Sequence, residues 1–139
     1  MSDEAVSILK NLANADRKRS SSADSSLLTQ HIVEAIQAKK AKDILLIDMS
    51  EVSEIADYFV ICTGESDLQI KAIVDGVDED VRAAIGERPW RTEGYDARQW
   101  VLIDYVDVVV HVFDRERRSY YNLERLWADA PMEEISDDQ

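Results

Sequence analysis

The chain has 139 residues, 45% of them apolar and 32% charged, with four glycines and two prolines. That bounds it to about one domain with a core of its own, neither collagenous nor wholly disordered, and no apolar run approaches the roughly 18 residues of a membrane-spanning helix. Twenty-nine acids against 16 bases leave a net charge of −13, which argues against gripping DNA or any nucleic-acid backbone and suits a basic partner or plain solubility.

Residues 1–26 carry four acids and four bases, so the whole surplus of acid lies in 27–139. Asp3 and Glu4 stand where a secretory signal needs positive charge, and no long apolar stretch follows. Val6, Ile8, Leu9 and Leu12 suit a short helix, and the serine-rich run from Arg19 to Ser26 reads as a linker. The expectation is a mobile leader over 1–26. Its arginines and serines also permit organelle import, against which its four acids count, so a cytoplasmic location is expected.

Ser25 or Ser26 is expected to cap a first helix, whose Leu28, Ile32, Ala35 and Ile36 form one apolar stripe. Lys39, Lys40 and Lys42 suit its negative end. Ile44 to Ile47 reads as a strand, Asp48 to Ala56 as a polar connector, and Tyr58 to Thr63 as a second strand stopped by Gly64. Ser66 and Gln69 make a capping box ahead of a second helix, striped by Ile70, Ile73, Val74, Val77, Val81 and Ala84. Gly86 and Pro89 close it. Trp90 to Glu93 reads as a short edge strand, turned by Gly94.

Trp100 to Asp104 and Asp107 to Phe113 are two further β runs. Asp114 is expected to cap a last helix running through Trp127, with Tyr120, Leu123 and Trp127 as its stripe. Residues 131–139 read as an acidic, solvated tail. The order is α-β-β-α-β-β-β-α. Neighbouring β runs break βαβ alternation, so the expected fold is a single compact α/β (α+β) domain over 27–130, a mixed sheet with helices packed on it.

Only Tyr105 and Val106 separate the two late strands. A two-residue hairpin would pair Asp104 with Asp107, Leu102 with Val109, and Trp100 with His111, all on one face. The other face would collect Val101, Ile103, Val108 and Val110 and is the core side. An indole and a leucine beside two carboxylates make a plausible docking platform, and a cationic partner would relieve the paired acids. A helix could equally cover Trp100 and His111 and make this face a second layer of core. Tyr-Val also lacks the glycine or asparagine that a tight hairpin turn prefers.

At these residues the sequence resembles the ribosomal silencing factor family, also called Iojap-related, over roughly 27–130. Asp57-Tyr58-Phe59-Val60-Ile61-Cys62-Thr63-Gly64, then Ser66 and Gln69, resembles the family's D-Y-F-V-I-x-T-G-x-S-x-x-Q. Glu93-Gly94, Trp100 to Tyr105, and Asp107 to Phe113 resemble its E-G…W-x-x-x-D…D-V-V-V-H-x-F. Arg118, Tyr120 or Tyr121, and Leu123-Glu124-Arg125-Leu126-Trp127 resemble its closing R-x-x-Y-x-L-E-x-L-W. Val106 departs from the pattern, standing where many members have glycine, and the leader is longer than in many members.

The resemblance implies a non-enzymatic translational repressor without cofactor or metal. Such proteins bind large-subunit ribosomal protein number fourteen and sterically block joining of the small subunit, notably when nutrients run short. It implies partner contacts at Trp100, Asp104 and Asp107, with Asp57 completing the acidic rim. Leu102, Tyr105 and His111 on the same hairpin complete the expected docking set. Ribosomal RNA is a possible minor contact through Arg115, Arg117 and Arg118, whose other reading is capping and surface ion pairs. A monomer or weak homodimer is expected.

The alternative is a nucleotidyltransferase-related enzyme using magnesium and a nucleotide, because the family's fold resembles that topology. Gly64 and Ser66 follow a strand, and Asp104 and Asp107 could mimic a metal-holding pair. The acids are three positions apart, however, where D-x-D would put both on one strand face, and the Gly-Gly/Ser dipeptide is absent. His31 and Cys62 read as packing, Asp78-Glu79-Asp80 as a solvated helix face, and two histidines with one cysteine make a weak zinc case.

Overall fold

The computed structural model describes residues 10–12, 16–17 and 24–137. The expected stripe at Val6, Ile8 and Leu9 and the linker positions 19–23 lie outside the described residues. Helix α1 spans Ser25–Ala38 and α2 spans Asp67–Ile85. Asp24 caps α1 in place of Ser25 or Ser26. Its carboxylate accepts from the N–H groups of Ser26 at 3.0 Å and Leu27 at 3.2 Å, bringing a full negative charge to the positive helix end.

Ser66 caps α2 as expected, its Oγ accepting from the Gln69 N–H at 3.0 Å. The Gln69 amide does not return to Ser66. It accepts from the Glu65 N–H at 2.7 Å and donates to the carbonyls of Lys39 and Lys40, tying the start of α2 to the end of α1. Gly86, at φ +71°, closes α2 in the left-handed conformation that glycine adopts without strain.

Among the described residues there are six strands: β1 Lys42–Asp48, β2 Tyr58–Gly64, β3 Arg91–Glu93, β4 Trp100–Asp104, β5 Val108–Asp114 and β6 Met132–Ile135. They form one sheet in the order β3-β4-β5-β2-β1-β6, in which β2 and β5 run parallel and the other neighbours antiparallel. The mixed α+β sheet is therefore as the alternation of elements predicts.

Two elements differ. The last helix is broken into α3, Arg115–Tyr121, and α4, Leu123–Leu126, at Asn122 with φ +46°. Asparagine tolerates that region better than other side chains. The break resets the helical phase, so Tyr121 rather than Tyr120 packs inward with Leu123 and Trp127. At the C-terminal end, Met132–Ile135 is not a solvated tail but pairs with β1. An edge strand needs only its backbone paired, which leaves Glu133 and Glu134 in water.

The sheet carries a hydrophobic layer on each side. On one, α1 and α2 lay Leu28, Ile32, Ile36, Ile70, Ile73 and Val77 over Val60, Cys62, Val101, Ile103, Val110 and Val112. On the other, Leu12, Leu123 and Ala130 join Leu45, Ile47, Phe59, Ile61, Trp100, Leu102, Val109 and Phe113.

Candidate functional site

The β4–β5 pairing is two residues away from the tight hairpin. Asp104 faces Val109, Leu102 faces His111, and Trp100 faces Phe113. An even shift keeps every side chain on its face, so Val101 and Ile103 remain opposite in direction to Trp100, Leu102 and Asp104. The two acids, however, are not cross-strand partners. Tyr-Val does not make the two-residue turn. Instead the Asp107 N–H donates to the Tyr105 carbonyl at 2.9 Å, the Tyr105 N–H donates to the Val108 carbonyl at 2.9 Å, and Val106 sits at φ +72°. A branched residue is strained there, which fits glycine being common at this point of the pattern.

Of the two readings left open for the hairpin face, the structure shows the covered one. Trp100 and His111 are fully buried and Leu102 nearly so. None of the three meets solvent, so as placed here they support the surface from beneath. Trp100 stacks on Phe113 at 5.0 Å between ring centres and leans on Tyr121 at 4.7 Å. Phe59 meets His111 and Trp127 edge-on at 4.7 and 5.0 Å.

The indole N–H of Trp100 donates to His111 Nδ1 at 3.1 Å. With Nδ1 accepting, the neutral ring carries its own proton on Nε2, which is buried with no hydrogen-bond partner in the structure. Burial holds the imidazole pKa down to about 3. His111 is thus a neutral acceptor that positions an indole.

The acidic residues gather at the end of the sheet beside the turn. Asp107 is buried, and its carbonyl accepts the N–H groups of Asp57 at 2.7 Å and Tyr58 at 3.3 Å. Asp57 is half-buried next to it. Asp104 is 1% exposed, and its carboxylate is held by Arg17 of the leader, Nε to Oδ2 at 2.6 Å and Nη2 to Oδ1 at 3.0 Å. Tyr105 leaves this group and packs in the layer under α1 and α2. There burial, with the charges of Asp78 and Glu87, pushes its hydroxyl pKa up.

Arg17 and Asn11 are contributors that the sequence did not single out, and Leu12, read there only as part of a short leader helix, is a third. Arg17 and Leu12 are buried, and the Asn11 amide donates to Glu93 at 2.6 Å, so this part of the leader is seated on the domain and is not the mobile segment expected. One signal was available. Asp104 sits on a strand face otherwise apolar, and a carboxylate there requires a cation or several N–H donors.

The nucleotidyltransferase-like features have local structural explanations. A Cβ on Gly64 would lie 2.5 Å from Ile70 Cγ1, so glycine lets β2 end against α2, and Ser66 is a helix cap. Among the described residues no group of three or more His, Cys, Asp or Glu side chains gathers around a common point. Cys62 is buried and its thiol pKa is pushed up to about 12, far from the thiolate a nucleophile needs. Arg115 pairs with Asp43, Arg117 with Asp114 and Glu116, and Arg118 donates to Thr63 Oγ1 at 2.9 Å and pairs with Glu124.

Comparison with known proteins bears on the whole domain. A family model described as ribosomal silencing factor during starvation matches residues 21–139. A ribosomal silencing factor of Bacillus subtilis is 49% identical over 105 residues, covering 73% of this chain and 85% of the relative. An Iojap-related mitochondrial protein of Arabidopsis thaliana is 35% identical over 109 residues, covering 75% of this chain and 59% of the relative. A crystal structure of a Chromobacterium violaceum protein superposes with a TM-score of 0.73 at 33% identity, covering 76% of this chain and 88% of that one. No helix among the described residues is long and apolar enough to cross a membrane.

Proposed function

The chain belongs to the ribosomal silencing factor family, and from that premise we propose that it is a cytoplasmic translational repressor. It binds the large ribosomal subunit through large-subunit ribosomal protein number fourteen, blocks joining of the small subunit by occupancy, and so slows translation under nutrient limitation. The observation that carries this reading is the match of residues 21–139 to a family named for silencing ribosomes during starvation. The net charge of −13 supports it, because an acidic domain is steered toward a basic ribosomal protein and oriented on it.

The docking surface in this reading is the end of the sheet around the β4–β5 turn, with half-buried Asp57 at its rim and Asp104 and Asp107, both buried as placed here, directly beneath it. Trp100, Leu102 and His111 hold it from below, and Tyr105 braces the turn from the opposite face. Steric blocking requires no cofactor and no catalytic residue.

The test is co-sedimentation of the purified protein with isolated large and small subunits, followed by addition of the missing subunit and light scattering. Binding to the large subunit alone, with joining suppressed, is expected. Reversing one charge of the rim, Asp57→Arg, should weaken that binding. Binding to neither subunit, or binding without an effect on joining, overturns the reading.

A further inference from the structure

We propose that the Asp104 notch is a receptor for a guanidinium group, that the chain fills it with its own Arg17, and that an arginine of a basic protein partner competes with the leader for it. The proposal rests on the ribosome-docking reading above and adds a regulator to it. An arginine offers five N–H donors in a fixed planar fork. Arg17 has five partners: Asp104 Oδ2 at 2.6 Å, Asp104 Oδ1 at 3.0 Å, and the carbonyls of Leu12 at 3.1 Å, Ile55 at 2.7 Å and Val106 at 2.6 Å. A lysine ammonium, with three donors and no plane, cannot satisfy that set.

Four of those five acceptors belong to the domain itself, from β4, the β4–β5 turn and the connector before β2. Only the Leu12 carbonyl comes from the leader. The domain's share is also held in place independently of Arg17. The Val106 N–H donates to Asp104 Oδ1 at 2.8 Å, and the Trp90 N–H donates to the Asp104 carbonyl at 2.7 Å. The notch is therefore built by the fold, and the leader supplies its occupant.

The leader's other anchors include buried Leu12 and the Asn11 amide on Glu93. A carboxylate this enclosed is costly without a cation, so leaving the notch empty is unfavourable. Exchanging one guanidinium for another keeps the four bonds to the domain. That is the condition for a competitive switch, in which two occupants of like chemistry exclude each other. While Arg17 is seated, the carboxylate expected to meet a cationic partner is already taken.

The experiment compares the full-length wild type with Arg17→Ala and Arg17→Lys. Affinity for isolated large subunits should rise in Arg17→Ala by at least about fivefold, the lower end of ordinary coupling between sites, with a smaller rise in Arg17→Lys. Separately, methylguanidinium at sub-denaturing concentration should raise the melting temperature of Arg17→Ala more than that of wild type, and methylammonium should not. Unchanged or weaker subunit binding by folded variants, with wild type binding normally, overturns the competition and leaves Arg17 a structural staple. Absence of the methylguanidinium effect overturns the receptor itself. If neither wild type nor variants bind subunits, the ribosome reading falls and the competition with it, while the methylguanidinium result still decides the notch. Should Arg17→Ala fail to fold, Arg17→Lys decides both measurements.

Discussion

One face of the sheet is closed by two helices of 14 and 19 residues, the other by helices of seven and four together with leader residues Leu12 and Arg17. The first layer is aliphatic across the strands and needs only continuous apolar cover. The second holds a stacked Trp100–Phe113 pair, a neutral histidine and a buried ion pair. A layer of the first kind tolerates exchange among groups of similar volume. The second depends on particular partners, because an indole N–H or a carboxylate left without its mate is costly. Changes of pH or charge should therefore separate two faces that share the same strands.

The largest separation should come from truncating one large side chain on each face. Trp100→Ala should cost about 3–5 kcal/mol, and more than Ile73→Ala within its range of about 2–5 kcal/mol, because it also leaves His111 Nδ1 without its donor. Urea unfolding of the two variants measures this. Equal or smaller loss for Trp100→Ala would mean that the second face is loosely packed.

Between pH 6.5 and 5, acid should act on the second face through His111. The His111 imidazole has an ordinary pKa of 6.5, which burial lowers to about 3. Below pH 6.5 the unfolded chain takes up a proton that the folded chain refuses. Stability complete above 6.5 is therefore lost as pH falls, by up to about 1.4 kcal/mol per unit, or about 2 kcal/mol by pH 5. His111→Leu should be less stable than wild type at neutral pH yet show a flatter slope between pH 6.5 and 5. An unchanged slope would place the titration elsewhere.

Much of the first face was legible in the sequence. The stripe of α1, that of α2 as far as Val81, the Ser66 cap and the Gly86 stop follow from helical period and capping chemistry, both local, while Ala84, expected on the stripe, is exposed. The aliphatic alternation of β4 and β5 separated the two sides correctly even though the register was two residues off, since an even slip preserves faces. The second face was less legible because its cover is non-local. Arg17 lies 87 positions from Asp104, and α3 and α4 are too short for a periodic signal. The acidic end strand was missed because edge pairing uses backbone groups that composition does not report.

Removing Arg17 tests how far the second face depends on its leader. Breaking a buried pair costs several kcal/mol when the remaining charge stays buried. Here the lost arginine is part of the cover, so undocking of the leader would let water reach Asp104, and local opening limits the loss. Arg17→Ala should lose about 1–2 kcal/mol in urea unfolding, well below Trp100→Ala. A loss as large as that of Trp100→Ala would show that the leader is integral to the fold and make displacement by a partner implausible.

The smallest expected effect is a gain. Val106 is held at φ +72° at the tip of the turn whose carbonyl Arg17 uses. A left-handed conformation costs a non-glycine residue about 1–3 kcal/mol. Glycine removes that strain but returns about 0.4–1 kcal/mol through the greater freedom of the unfolded chain, and the half-buried valine methyls are lost as well. Val106→Gly should therefore stabilise by about 0.5–1 kcal/mol. Because Arg17 bonds the Val106 carbonyl and not its side chain, the leader should stay seated, and amide exchange at the described leader positions should remain as protected as in wild type. Destabilisation would mean that the valine side chain packs more tightly against the second face than its strain costs. Loss of protection in the leader alone would mean that a stiff turn is what keeps the Asp104 notch in shape.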